Sequence, residues 1–73
     1  MAQLPFDNQV KTLRFLNGEI TQGDLGDAVG VTRQTIAAIE QGKYSPSLEV
    51  AFKIARHFDK PLEEVFVWRD EAA

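Results

Sequence analysis

The run Thr32-Arg33-Gln34-Thr35-Ile36-Ala37-Ala38-Ile39-Glu40 reads as a helix with two unlike faces. At about 100° per residue, Ile36 and Ile39 fall together, while Gln34, Ala38 and Gln41 fall opposite them, flanked by Arg33 and Ala37. A merely solvated face would be filled with Glu and Lys. This one is polar, carries its one charge on Arg33 and includes two small alanines. Such side chains suit the edges of nucleic-acid bases. Arginine forks onto guanine O6 and N7, glutamine onto adenine N6 and N7, and alanine can lie against a thymine methyl. Short residues also let a helix sit deep in a major groove. Arg33, Gln34, Ala37 and Ala38 are therefore the candidate base-reading set.

Other chemistries fail one by one. With no cysteine and a single histidine, His57, neither thiolate nor two-histidine metal sites can form. Ser45, Ser47, His57 and Asp59 include the residue types of a hydrolytic triad, but as near neighbours at helix ends they give no reason to expect its geometry. Glu63-Glu64 is a surface pair favourable to a helix dipole, not an acid/base dyad. No glycine loop is built to cradle a phosphate. The expectation is no enzyme activity, no metal, no cofactor and no small-molecule ligand.

The bulk numbers agree with a binding protein. Residues 1–73 are expected to form one domain, with 44 % hydrophobic and 26 % charged residues, as in ordinary soluble proteins. A chain this short buries about 60–65 % of its unfolded surface, leaving little room for both a core and a deep pocket. No apolar run is long enough to span a membrane and no signal pattern opens the chain, so a soluble, cytoplasmic, DNA-associated protein is expected. The net charge of −3 runs against nucleic-acid binding. Its distribution does not. Asp59, Glu63, Glu64, Asp70 and Glu71 crowd the C-terminal end, and between Val29 and Ser47 only Glu40 is acidic.

Capping residues, glycine and proline divide the chain into five short helices, an all-α bundle. The first runs roughly from Asp7 to Leu16, with Asp7 or Asn8 as cap. The second opens at Thr21, with Asp24 completing a capping box, and closes at Gly30. The third begins at Thr32 and stops before Gly42, and the fourth follows Ser45-Pro46 with Ser47 as cap. The fourth is the most apolar, through Leu48, Val50, Ala51, Phe52, Ile54, Ala55 and Phe58. The fifth has Pro61 at its first position, with Leu62, Val65 and Phe66 facing inward. No window alternates at period two. Helices two and three, joined by the glycine turn Gly30-Val31, have the form of a helix-turn-helix over residues 21–41. Gly26 lets them approach closely, whereas Gly23 has no evident reason to be glycine.

From Ile20 to Phe66 the sequence resembles the Xre/Cro family of helix-turn-helix regulators, especially its small stand-alone members. The resemblance joins the third helix, the Gly42-Lys43-Tyr44 loop with Pro46-Ser47, and the fourth helix, in order. It implies the phage-repressor type of DNA-binding bundle and a role for each matching residue. Gln22, Thr32, Thr35, Gln41, Lys43 and Tyr44 would hold DNA phosphates beside Arg33 and Gln34. Arg14 and Glu40 would form an internal ion pair, although Asn17-Gly18-Glu19 is one residue longer than the family's commonest spacing. The implied function is sequence-specific recognition of double-stranded DNA, as a repressor on a palindromic operator. The alternative is a helix-turn-helix fold reused as a protein-interaction module or antitoxin.

A palindrome requires a homodimer. Leu4, Pro5 and Phe6 at the start, and Phe66, Val67 and Trp68 at the end, are apolar residues outside the helices or at their margin. Phe6, Phe66, Val67 and Trp68 are the candidate dimer interface, with Trp68 as anchor. Val67-Trp68 could also extend as a strand against Leu4-Pro5-Phe6 of either copy, with Pro5 restricting it to an edge.

Overall fold

The computed structural model describes residues 4–70. In chain order these form β1 (Phe6–Asn8), α1 (Val10–Leu16), α2 (Gln22–Val29), α3 (Arg33–Glu40), α4 (Leu48–His57), α5 (Leu62–Val65) and β2 (Phe66–Trp68). Five helices surround a core of Val10, Leu13, Leu25, Val29, Ile36, Ile39, Ile54, Ala55, Phe58 and Val65. Each helix contributes at least one of these side chains. Burial of such apolar surface supplies the main drive for folding.

Local capping sets the helix starts. Thr21 Oγ1 accepts from the Asp24 amide at 2.9 Å, and the Asp24 carboxylate accepts from the Thr21 amide at 3.1 Å, completing the expected capping box. Thr32 and Ser47 cap α3 and α4 in the same way, accepting from the amides of Thr35 and Val50. Gly30 ends α2 with φ of 84°, a left-handed backbone that glycine adopts without a Cβ penalty.

The fold is not purely helical. β1 and β2 pair antiparallel within the chain, placing Phe6 opposite Trp68 and Asn8 opposite Phe66. The Gln9 amide bonds to the Val65 carbonyl at 2.8 Å, and the Arg69 amide to that of Pro5 at 2.9 Å, so pairing continues past both strand ends. The strand expected at Val67-Trp68 therefore meets its own chain, slightly later than the Leu4-Pro5-Phe6 register. Three-residue strands are too short to show alternation in sequence.

The ribbon also shortens α1. Asp7 and Asn8 belong to β1, and the helix starts at Val10 rather than Asp7. Asn8 still supplies the capping oxygen: its Oδ1 accepts from the Val10 amide at 3.1 Å. Its Nδ2 donates to the Ile39 carbonyl at 2.8 Å, fixing the ribbon to the end of α3. Arg69 closes the outer side, donating to both Asp7 carboxylate oxygens and to the Leu4 carbonyl. Those hydrogen bonds from Arg69, with its charge, hold the Asp7 carboxyl below its ordinary range.

One further expectation shifts. Pro61 is the residue before α5 and not its first turn. On α4, Ala51, Ile54 and Ala55 turn inward, but Leu48 stays 67 % exposed and Phe52 47 % exposed. Its apolar residues occupy a wider arc than the core can cover.

α2 and α3 meet at Gly26. A Cβ there would lie 2.6 Å from the Val31 carbonyl oxygen and 3.2 Å from the Thr32 carbonyl carbon, both backbone atoms that cannot swing aside. A Cβ at Gly23 would make only ordinary contacts, 3.7 Å to Thr21 Oγ1 and 4.0 Å to Arg33 Cδ. Gly26→Ala should therefore destabilise the protein by about 1–3 kcal/mol, through overpacking of the α2–α3 turn. Gly23→Ala should stabilise it by about 0.4–1 kcal/mol, by reducing the freedom of the unfolded chain. Urea unfolding of the two variants checks this, and similar shifts in the same direction would contradict it.

Candidate nucleic-acid interface

α3 presents the two faces its sequence implies. Ile36 and Ile39 are fully buried, while Arg33 and Gln34 are exposed and Ala37 and Ala38 are half-buried. The four candidate base-reading residues thus share the outer side of the helix, with the long polar pair in its first turn. Thr32 caps that turn, and its Oγ1 lies 3.0 Å from Thr35 Oγ1, so both hydroxyls sit together beside Arg33.

The far end of α3 closes with Gly42 at φ of 73°. The Lys43 amide returns to the Ala38 carbonyl at 2.9 Å and the Gly42 amide to that of Ile39 at 3.0 Å. This wrapped end satisfies two terminal carbonyls and carries Gln41, Lys43 and Tyr44 onto the surface, all exposed. The candidate phosphate contacts of α3 therefore flank it at both ends: Thr32 and Thr35 at its start, Gln41, Lys43 and Tyr44 at its close.

Gln22 behaves differently. It is the first residue of α2, half-buried, and its Nε2 donates to Glu40 Oε1 at 3.0 Å. The same carboxylate receives Arg14 Nε at 2.6 Å and Arg14 Nη2 at 3.0 Å. Arg14 Nη1 donates to the Ile20 carbonyl at 2.9 Å, and the guanidinium lies 5.4 Å from the centroid of the Phe15 ring. The ion pair implied by the family resemblance is therefore present, with side chains only 9 % and 5 % exposed. The longer α1–α2 turn does not break its alignment. The hydrogen bonds it donates to the Glu40 carboxylate hold the Arg14 guanidinium above its ordinary range, against the opposing effect of burial. The Gln22 link to this pair was not foreseen from sequence, because a contact between residues 22 and 40 leaves no local pattern.

At the chain ends, Phe66 packs against the core and meets Phe6 edge to face, with ring centroids 6.0 Å apart. Val67 and Trp68 remain 41 % and 62 % exposed. Trp68 borders an open groove of 390 Å3 whose apolar walls include Phe6, Leu48, Leu62 and Phe66. Leu48, one of the residues that make α4 the most apolar helix, is part of this surface. Among the described residues, no group of His, Asp or Glu could hold a metal ion, and no helix is long and apolar enough to cross a membrane.

Residues 13–65 match the protein family described as Helix-turn-helix. The chain belongs to that family of transcriptional regulators. It is 50 % identical over 64 residues to an uncharacterized HTH-type transcriptional regulator of Methanocaldococcus jannaschii, covering 88 % of this chain and 96 % of that one. An uncharacterized HTH-type transcriptional regulator of Bacillus subtilis is 53 % identical over 64 residues, covering 88 % and 94 %. Among solved structures, the restriction-modification controller protein C.AhdI from Aeromonas hydrophila superposes with a TM-score of 0.68 at 27 % identity, covering 77 % of this chain and 80 % of that one. The P22 c2 repressor, solved with a synthetic operator, has the same fold: TM-score 0.66 at 20 % identity, covering 78 % and 89 %. The family is one of DNA-binding regulators and not of enzymes.

Proposed function

We propose that the chain acts as a single-domain, sequence-specific repressor, with α2 and α3 as its helix-turn-helix and α3 as the helix that enters the major groove of double-stranded DNA. The observation that carries this reading is the outer face of α3, where Arg33 and Gln34 stand exposed ahead of Ala37 and Ala38. Arg33 and Gln34 read base edges, and the two alanines keep the helix close to the groove floor. Gln22, Thr32, Thr35, Gln41, Lys43 and Tyr44 bind phosphates and set register. The fold shared with an operator-bound phage repressor supports this assignment. The protein works where DNA is found, in the cytoplasm.

The net charge of −3 favours a second reading, a protein-interaction module or antitoxin that uses the acidic surface. Asp59, Glu63, Glu64 and Asp70 are exposed, and all lie C-terminal to α4. Acids there leave the α3 face without a carboxylate in its first two turns, so both surfaces can coexist on one chain.

The repressor works as a homodimer on a palindromic operator, which places two α3 helices about 34 Å apart. Phe6, Phe66, Val67 and Trp68 form the interface, with the exposed Trp68 as its anchor. Aromatic side chains of this kind dominate such contacts.

Selection from a random duplex library at low salt tests the central reading. Arg33→Ala and Gln34→Ala should each leave thermal unfolding nearly unchanged, relax one base preference and weaken the selected site by about 1–3 kcal/mol. Lys43→Ala should weaken all duplexes about equally and lower the salt slope by about one unit. A wild-type protein that enriches no sequence would defeat the proposal. For the dimer, sedimentation of the wild type should show a dimer at tens of micromolar that Trp68→Ala loses, together with operator affinity. A monomeric wild type, or a variant that still dimerises and binds fully, would refute that interface.

A further inference from the structure

Unlike Thr32 and Thr35, which bond to each other at the start of α3, the Gln22 side chain is held by a carboxylate from another helix. Its Nε2 donates to Glu40 Oε1 at 3.0 Å. A carboxylate can only accept, so the carboxamide must turn its nitrogen toward Glu40, and its orientation is fixed rather than free to flip. That nitrogen has a second hydrogen for another acceptor. The geometry points to Glu40 as the positioning residue of Gln22 at the DNA backbone, with Arg14 as the countercharge that lets an acid stand there. This inference rests on the DNA-binding reading above.

Glu40 ends α3 and Gln22 begins α2, so one hydrogen bond ties opposite termini of the two helices. At the other end of α3, Arg33 Cδ lies 4.0 Å from where a Gly23 Cβ would be. The first turn of α2 therefore comes near the Arg33 side chain at Gly23 and bonds to Glu40 through Gln22. A phosphate held by Gln22 fixes the register of the helix that carries Arg33 and Gln34.

An unneutralised carboxylate next to a phosphate would repel it. Glu40 avoids this because Arg14 occupies both of its oxygens, at 2.6 and 3.0 Å, and because its side chain is only 5 % exposed. The ion pair is thus electrically quiet toward DNA while still presenting an acceptor to Gln22. Arg14 is itself anchored to the Ile20 carbonyl, so the node does not shift when Gln22 takes a ligand.

The test is a double-mutant cycle against the duplex selected from the library, in the full chain. Replacing both ionic partners at once, Arg14→Met with Glu40→Met, leaves net charge unchanged and substitutes apolar volume for a buried pair, an exchange proteins commonly tolerate. Thermal unfolding confirms that this variant folds. Gln22→Ala should weaken binding about tenfold, the folded double variant by a similar factor, and the triple variant no further than the double. Wild-type affinity in the double variant would overturn the inference, as would a Gln22→Ala loss that is the same in both backgrounds. A separate readout needs no DNA: the Gln22 side-chain amide proton that faces Glu40 should exchange slowly in the free wild type and rapidly in the double variant. Equal rapid exchange in both would also overturn it. Slow exchange without binding to any duplex would instead condemn the DNA-binding reading and leave the Glu40–Gln22 link intact.

Discussion

Placing a carboxylate out of water at the end of α3 is unfavourable unless a cation and further donors meet it. Glu40 receives Arg14 through two nitrogens and Gln22 through a third, and Arg14 goes on to the Ile20 carbonyl. Through these bonds the first helix, the turn after it, the start of α2 and the end of α3 share one node. Breaking half of such a pair leaves an unpaired charge, at a cost of about 3–5 kcal/mol when burial is deep. The apolar core drives collapse without direction. The node fixes how α2 lies on α3, and that arrangement is the property a DNA-reading face needs.

A second constraint works beside it. The absence of a side chain at Gly26 brings α2 against the backbone of Val31 and Thr32, and Gly30 turns the chain between the helices. With both ends of the α2–α3 pair fixed, the outer face of α3 needs no packing role of its own. Arg33 and Gln34 are left to be chosen for what they contact outside the chain. Glu40 lies about two turns after Arg33 on the same side of α3, so the network closes beside that exposed side chain.

Much of this was legible in the sequence because it is written in short-range chemistry. Thr21 with Asp24, Thr32, Ser47 and Gly30 each set a helix end through contacts within a few residues, and each acts as read. The period of Ile36 and Ile39 identified the inner face of α3. The Arg14–Glu40 pair came from family resemblance and not from spacing. What escaped depends on distant partners. The β1–β2 ribbon joins residues about sixty positions apart through strands of three residues, too few to show a period. Asn8 was read as a local cap, which it is, but its second bond to Ile39 is tertiary. The exposure of Leu48 was not legible either, because the apolarity of α4 does not say which arc of the helix finds a neighbour.

The central claim is that α3, flanked by the start of α2 and the Lys43-Tyr44 loop, is the surface that meets DNA. Amide chemical shifts recorded while a mixed-sequence duplex is added at low salt test it most directly. The account predicts that the perturbed amides cluster at Gln22 and Gly23, along Thr32 to Ala38 and at Lys43 and Tyr44, with α5 and β2 little changed. Shifts confined to α4, α5 and β2, or no shifts with duplex in excess, would contradict it.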